Sequence, residues 1–167
     1  LRAVLRASAS GPVSIMFPMV LGPDDFEQGI DEVRHAAQKE GLTALPPVGA
    51  MIETPSAVFK IDEICELADF VSIGTNDLTQ FVLAADRGAL ATISDFSGLD
   101  PAILRAVRSV VETAAAKGKA CSVCGEIAGD PAGACLLMGL GVRQLSMSPV
   151  RTTKVRRAIR SAHLTDL

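Results

Sequence analysis

The sequence predicts an α/β fold built on parallel strands. Two patterns point there: apolar, β-rich runs alternate with helix-period runs along all 167 residues, and the strand runs are continuously apolar, as strands buried on both faces are. A third sets the architecture: polar, chemically reactive side chains recur where the strands end, which a (β/α) barrel places on one rim.

The predicted strands cover 13–20, 47–53, 69–75, 119–124 and 143–147. The helices between them carry their own start and stop signals. Residues 23–40 open at Pro23-Asp24-Asp25, place Phe26, Ile30, Val33 and Ala37 on one face, and stop at Gly41. Residues 55–67 begin with Pro55 after Thr54, an N-cap and first-turn pair. Residues 100–117 open at Asp100-Pro101, carry Ile103, Val107, Val110, Val111 and Ala114, and end at Gly118. Residues 130–139 open with Asp130-Pro131, and 150–163 form a basic closing helix with Val155 and Ile159 inward.

No G-x-G-x-x-G follows the first strand, which removes the best signal of a dinucleotide fold. A closed barrel has eight strands and about 250 residues. Five predicted strands therefore mean a complete open sheet or the last five βα units of a (β/α)8 barrel of TIM type. The start Leu1-Arg2-Ala3-Val4-Leu5-Arg6 resembles the end of an amphipathic helix and lacks an initiator Met. It favours the second reading, a chain that begins inside a longer protein.

Composition narrows the function classes. Hydrophobic residues at 49% and charged residues at 21% belong to a folded domain with a real core. A net charge of −3 supplies no basic field for nucleic acid or anionic membrane. The longest apolar run, near Ile15 to Leu21, falls short of a membrane span. Cys121 and Cys124 form a lone C-x-x-C, but three residues apart on a strand they face opposite ways, against a redox pair or zinc knuckle. Cys65, Cys121 and Cys135 read as core residues, and His35 and His163 as surface residues.

The strand ends carry the chemistry. Glu53 and Asp77 close successive strands, so their carboxylates belong side by side on one rim. Two carboxylates completed by water and substrate oxygens suit Mg²⁺; equally, each could cap the helix that follows. Asn76 can hold a phosphate or carboxylate without adding charge. Arg87, in Asp86-Arg87-Gly88, can fork two bonds onto an anion or pair with Asp86 at the surface. Cys124 ends the fourth strand before Gly125 and Glu126; a free thiol, with a pKa of about 8.5, stays mostly protonated at neutral pH and can donate a proton.

Taken together, Ile15-Met16-Phe17-Pro18-Met19, Met51-Ile52-Glu53-Thr54-Pro55, Ser72-Ile73-Gly74-Thr75-Asn76-Asp77-Leu78-Thr79-Gln80, Asp86-Arg87-Gly88, Cys124-Gly125-Glu126-Ile127-Ala128-Gly129-Asp130 and Ser146-Met147-Ser148 closely resemble a known family. It is the phosphoenolpyruvate-binding barrel of enzyme I of the bacterial sugar phosphotransferase system. The form of the Cys-Gly-Glu segment is closer to enzyme I than to the related pyruvate phosphate dikinase and phosphoenolpyruvate synthase. The resemblance implies a cytoplasmic, homodimeric enzyme that passes the phosphoryl group of phosphoenolpyruvate to a histidine on a separate domain, releasing pyruvate. That domain phosphorylates a phosphocarrier protein in the first step of sugar uptake. By the same resemblance Glu53 and Asp77 hold Mg²⁺, Asn76 and Arg87 bind substrate, and Cys124 protonates the enolate.

Departures accompany the matches. The family usually has Asn after Asp-Arg-Gly, where this chain has Ala89, and segment 90–100 lacks the usual pattern. The phosphohistidine domain, the first barrel strands and two further substrate arginines of the family have no counterpart in residues 1–167, and neither Arg2 nor Arg6 takes those roles. The expectation is therefore a half-built site, inactive alone, with a cut edge at 13–20 that favours self-association. Two competing readings are a Mg²⁺-dependent lyase or aldolase acting on a pyruvate enolate and a non-catalytic remnant of the fold.

Overall fold

The computed structural model describes residues 1–85 and 99–163. Within them five strands form one sheet in the order β1-β2-β3-β4-β5: β1 (Ile15–Phe17), β2 (Val48–Ile52), β3 (Phe70–Gly74), β4 (Ala120–Cys124) and β5 (Gln144–Ser146). Every neighbouring pair is parallel, with Ile15 beside Val48, Ala50 beside Val71, Ile73 beside Val123 and Cys124 beside Ser146. Each strand thus adds on the same side of the last. With right-handed crossovers, strands added in one direction put every connecting helix on the same face. A doubly wound sheet reverses direction instead. The arrangement is a partial barrel, which decides between the two architectures the sequence left open.

The covered face is apolar. Ala50, Ile52, Val71, Ile73 and Val123 alternate along the strands and are buried against the helices α2 (Pro23–Lys39), α3 (Pro55–Phe59), α4 (Ile61–Leu67) and α6 (Pro101–Ala116), with α5 (Thr75–Val82) between α4 and α6 in sequence. The helix stripes read from the sequence are the ones that bury: Phe26, Ile30, Val33 and Ala37 on α2, and Ile103, Val107, Val110, Val111 and Ala114 on α6. Gly41 and Gly118 follow these helices at φ 70° and 65°, left-handed positions that end a helix cheaply only as glycine. The opposite face carries Met16, Met51, Phe70, Ser72, Ser122, Cys124 and Gln144, largely half-buried or exposed. In a closed barrel that face is the interior. Gly49 makes room on it, since a Cβ there would come within 2.5 Å of the Phe70 ring.

Several predicted boundaries shift for local reasons. The strand expected over 13–20 pairs only at Ile15–Phe17, because Pro18 has no N–H and Met19 turns the chain at φ 55°. The helix expected over 55–67 breaks at Lys60 (φ −109°, ψ 23°) into α3 and α4. Helix α5 starts directly at Thr75, which the sequence placed at the end of the third strand. The closing helices α7 (Pro131–Gly139) and α8 (Pro149–Ser161) match expectation, with Val155 buried. At the start, α1 (Arg2–Ala7) buries Leu5 and directs Arg2 and Arg6 to Glu40 at the end of α2. These hydrogen bonds lower the Glu40 pKa to about 2. Cys65 is buried in α4, Cys121 packs against the helix-covered core and Cys135 is half-buried in α7, while His35 and His163 are exposed. Among the described residues no helix is long and apolar enough to cross a membrane.

Thr54 ties two loops at the rim. Its hydroxyl donates to the Val20 carbonyl at 2.8 Å and accepts from the Ala57 N–H at 3.1 Å, while the residue is buried. Replacement Thr54→Ala loses an N-cap and leaves a carbonyl without its partner. The expected loss is about 2 kcal/mol of stability, read as a lower urea midpoint at unchanged slope.

Candidate functional site

The site forms where β2, β3 and β4 end. Glu53 directly follows β2 and is only 4% exposed. Its side chain crosses above Gly74, where a Cβ would lie 2.4 Å from Glu53 Oε2; any residue but glycine at 74 would displace the carboxylate. The Met19 N–H donates to Glu53 Oε1 at 2.8 Å, from a backbone held at φ 55°. A non-glycine residue in that region is uncommon and costs energy, and such positions cluster at functional sites.

Asp77 enters from the first turn of α5, one strand over. Burial pushes the Glu53 carboxyl above the ordinary carboxylate range; the Met19 N–H opposes that rise, and the Asp77 carboxylate adds to it. The expected pairing of the two carboxylates is therefore present in space. Both also lie at or near helix starts, but the cap of α3 is Thr54, not Glu53.

The chemistry of this donor set fits a hard divalent cation. Two crowded carboxylates, one desolvated, gain most from a positive charge placed between them. Among the described residues no group of three or more His, Cys, Asp or Glu is placed to hold a metal. The set is thus too sparse for a structural zinc site and suits an ion that keeps water and substrate oxygens.

Cys124 lies at the end of β4, half-buried, with Sγ 3.5 Å from the Ile73 carbonyl. Burial raises its pKa first, a Ser72 hydrogen bond lowers it, and the charges of Glu53 and Asp77 raise it further. Such a thiol stays neutral and holds a transferable proton; it is poorly suited to be a thiolate nucleophile. Ser72 is itself fixed by the Ser122 hydroxyl at 2.9 Å. Cys121 points the other way, and burial pushes its thiol up to about 12, so the C-x-x-C is no redox pair.

The loop after β4 is locked to the start of α5. Thr75 Oγ1 donates to the Cys124 carbonyl at 2.8 Å, and Asn76 Oδ1 accepts from the Glu126 N–H at 2.9 Å. Asn76, Cys124, Gly125, Ser146, Ser148 and Arg151 line a cleft of about 380 Å³ together with neighbouring residues. Of the sequence-predicted site residues, Glu53, Asn76, Asp77 and Cys124 come together on one rim. Arg87 and Ala89 lie outside the described residues. Sequence reasoning missed Met19, Gly74, Ser72 and Thr75 as supports, because their roles rest on contacts between strands. It also missed Arg151, which was visible only as one of several cations on a basic helix.

Comparison with known proteins adds the following. Residues 1–164 match the family model described as PEP-utilising enzyme, PEP-binding domain. The chain is 37% identical over 171 residues to a phosphoenolpyruvate-protein phosphotransferase of Haemophilus influenzae, covering 99% of this chain and 30% of that protein. It is 41% identical over 172 residues to a protein of the same name from Staphylococcus carnosus, covering 100% and 30%. Against a multiphosphoryl transfer protein of Rhodobacter capsulatus identity is 42% over 166 residues, covering 99% and 20%. The chain therefore spans a fifth to under a third of the length of these relatives. Among solved structures, a citrate lyase from Burkholderia xenovorans shares the fold with a TM-score of 0.74 at 22% identity, covering 95% of this chain and 52% of that one. A HpcH/Hpal aldolase/citrate lyase family protein from Burkholderia cenocepacia gives 0.62 at 20% identity, covering 95% and 69%.

Gly125 is the position on which the two loops close. It sits at φ 115°, and a Cβ there would lie 2.2 Å from Thr75 Oγ1 and 2.9 Å from Asn76 Oδ1. Gly125→Ala should cost on the order of 2 kcal/mol or more in stability. It should also release Asn76, which a loss of protection from hydrogen exchange at the Glu126 amide would reveal.

Proposed function

The chain belongs to the PEP-binding domain family of PEP-utilising enzymes, and from that premise we propose that it supplies the reaction rim of a phosphoenolpyruvate-dependent protein phosphotransferase. The observation that carries this reading is a neutral, half-buried thiol beside two crowded carboxylates on one barrel rim. The names of the relatives support the same reaction class.

Glu53 and Asp77 would hold Mg²⁺, which when bound balances negative charge on the phosphate, carboxylate and enolate oxygens. The Asn76 amide donates to an anionic group of the substrate, and Arg87 is proposed as a second anion contact. In the transfer step the bond between phosphorus and the enol oxygen breaks. The phosphoryl group passes to a histidine nitrogen on a separate domain, and the bonding pair stays on oxygen as pyruvate enolate. The Cys124 Sγ–H then gives its proton to the methylene carbon of the enolate. Pyruvate leaves, and the thiolate recovers a proton from solvent. A desolvated thiol flanked by carboxylates favours this order, since its raised pKa keeps the proton in place until a carbanion forms.

The same pair of carboxylates would also suit a second reaction class, a Mg²⁺-dependent lyase or aldolase acting on a pyruvate enolate. That chemistry has no use for Cys124. Cys124→Ala in the intact protein should therefore separate them. Pyruvate formation is expected to fall about a hundredfold or more, with phosphoenolpyruvate affinity retained. Undiminished pyruvate formation would remove the proton-donor role.

The metal assignment has its own check. Mg²⁺ at about a hundred times its dissociation constant stabilises a one-site protein by ~2.7 kcal/mol. That increment should vanish in both Glu53→Gln and Asp77→Asn, measured by thermal unfolding with and without Mg²⁺. A full increment in either variant would place the ion elsewhere.

A further inference from the structure

The cleft beside Cys124 has a cation that neither the metal pair nor the family motifs account for. Arg151, in the first turn of α8, lines it together with Asn76. Of the described residues lining the cleft, it alone carries a positive charge. Its stem is seated rather than free: Gly129, buried in the 3₁₀ turn Ile127–Gly129, presents a bare backbone, and a Cβ at that position would lie 2.6 Å from Arg151 Cδ. This lack of a side chain lets the arginine pass across the turn toward the cleft. The guanidinium ends 3.7 Å from Glu126 Oε2, an ion pair too long for a hydrogen bond and open to solvent on both sides. Most of its five N–H donors thus remain available.

Glu126 explains why the charge is held there without being consumed. Its backbone N–H fixes Asn76 while its carboxylate faces Arg151, so one residue contacts two of the polar groups that line the cleft. Across the rim the order is Glu53 and Asp77 at the ends of β2 and β3, Cys124 at the end of β4, and Arg151 beyond β5. A ligand that sets one end on the carboxylate side, through a cation, and its reacting carbon at Cys124 brings its other end to Arg151. Such a ligand carries two anionic groups, as phosphoenolpyruvate does.

We infer that Arg151 is a substrate-binding residue that holds the anionic group facing the β5 side of the cleft. This rests on the phosphotransferase reading above. The test uses Arg151→Ala, Arg151→Lys and Glu126→Gln in the intact protein, with KM and kcat for phosphoenolpyruvate and equilibrium titration with inorganic phosphate and with oxalate. Arg151→Ala should raise KM about tenfold or more while kcat changes less than about threefold, the pattern of a lost uniform contact. Arg151→Lys should recover part of that loss, and Glu126→Gln should leave KM unchanged or lower it. Weakened phosphate binding in Arg151→Ala assigns the contact to the phosphoryl end; weakened oxalate binding assigns it to the carboxylate end. A KM for Arg151→Ala within about twofold of the parent overturns the inference. So does an equal loss in Glu126→Gln, which would make the pair a structural one. A parent protein that does not consume phosphoenolpyruvate sinks the functional reading itself and this inference with it. Normal parent turnover with an indifferent Arg151→Ala sinks the inference alone.

Discussion

The handedness of the crossovers is the constraint on which the rest depends. Each strand is laid down on the same side of its predecessor, and each connection returns over the same face. Three consequences follow together. Among the described residues the helices that connect the strands cover one face, so Ala50, Ile52, Val71, Ile73 and Val123 form a single apolar layer. The other face keeps a half-polar set, with Ser72, Ser122 and Cys124 running along it. And every strand ends on the same rim, so residues separated by tens of positions in sequence meet there without further provision.

What the rim does with that opportunity depends on small residues. Glu53 reaches Asp77 only because Gly74 has no side chain, Asn76 is held only because Gly125 has none, and Arg151 crosses only because Gly129 has none. In each case the missing Cβ is the space through which a functional group passes. Electrostatics then act on the groups so placed. Burial and the neighbouring carboxylate make Glu53 reluctant to ionise, and burial first, then the two carboxylates, keeps the proton on Cys124. Two carboxylates brought this close make a local excess of negative charge that each neighbouring group feels.

Much of the fold was legible in the chain. Helix stripes on 23–40 and 100–117, the Pro-led starts at Pro23, Pro55, Pro101 and Pro131, and the stops at Gly41 and Gly118 all depend on local periodicity and local backbone preference. The misplaced boundaries share a cause. Strand β1 ends early at Pro18, α3 and α4 separate at Lys60, and α5 begins at Thr75, each at a local backbone turn that periodicity over a longer window smooths out. Among site residues, the side chains that bear chemistry were identifiable by type and by motif. The supports were not, since a backbone N–H such as that of Met19 carries no mark in a sequence.

The sequence by itself determined the class of fold, the alternation of strands and helices, and that Glu53, Asn76, Asp77 and Cys124 stand at strand ends, because these follow from residue type, spacing and motif. Only the tertiary structure decided that the sheet winds in one direction, that the Met19 N–H reaches Glu53, and that Arg151 joins the cleft. Those outcomes depend on strand order and on close approaches across the sheet. Distances of that kind are set by packing, and linear spacing does not contain them.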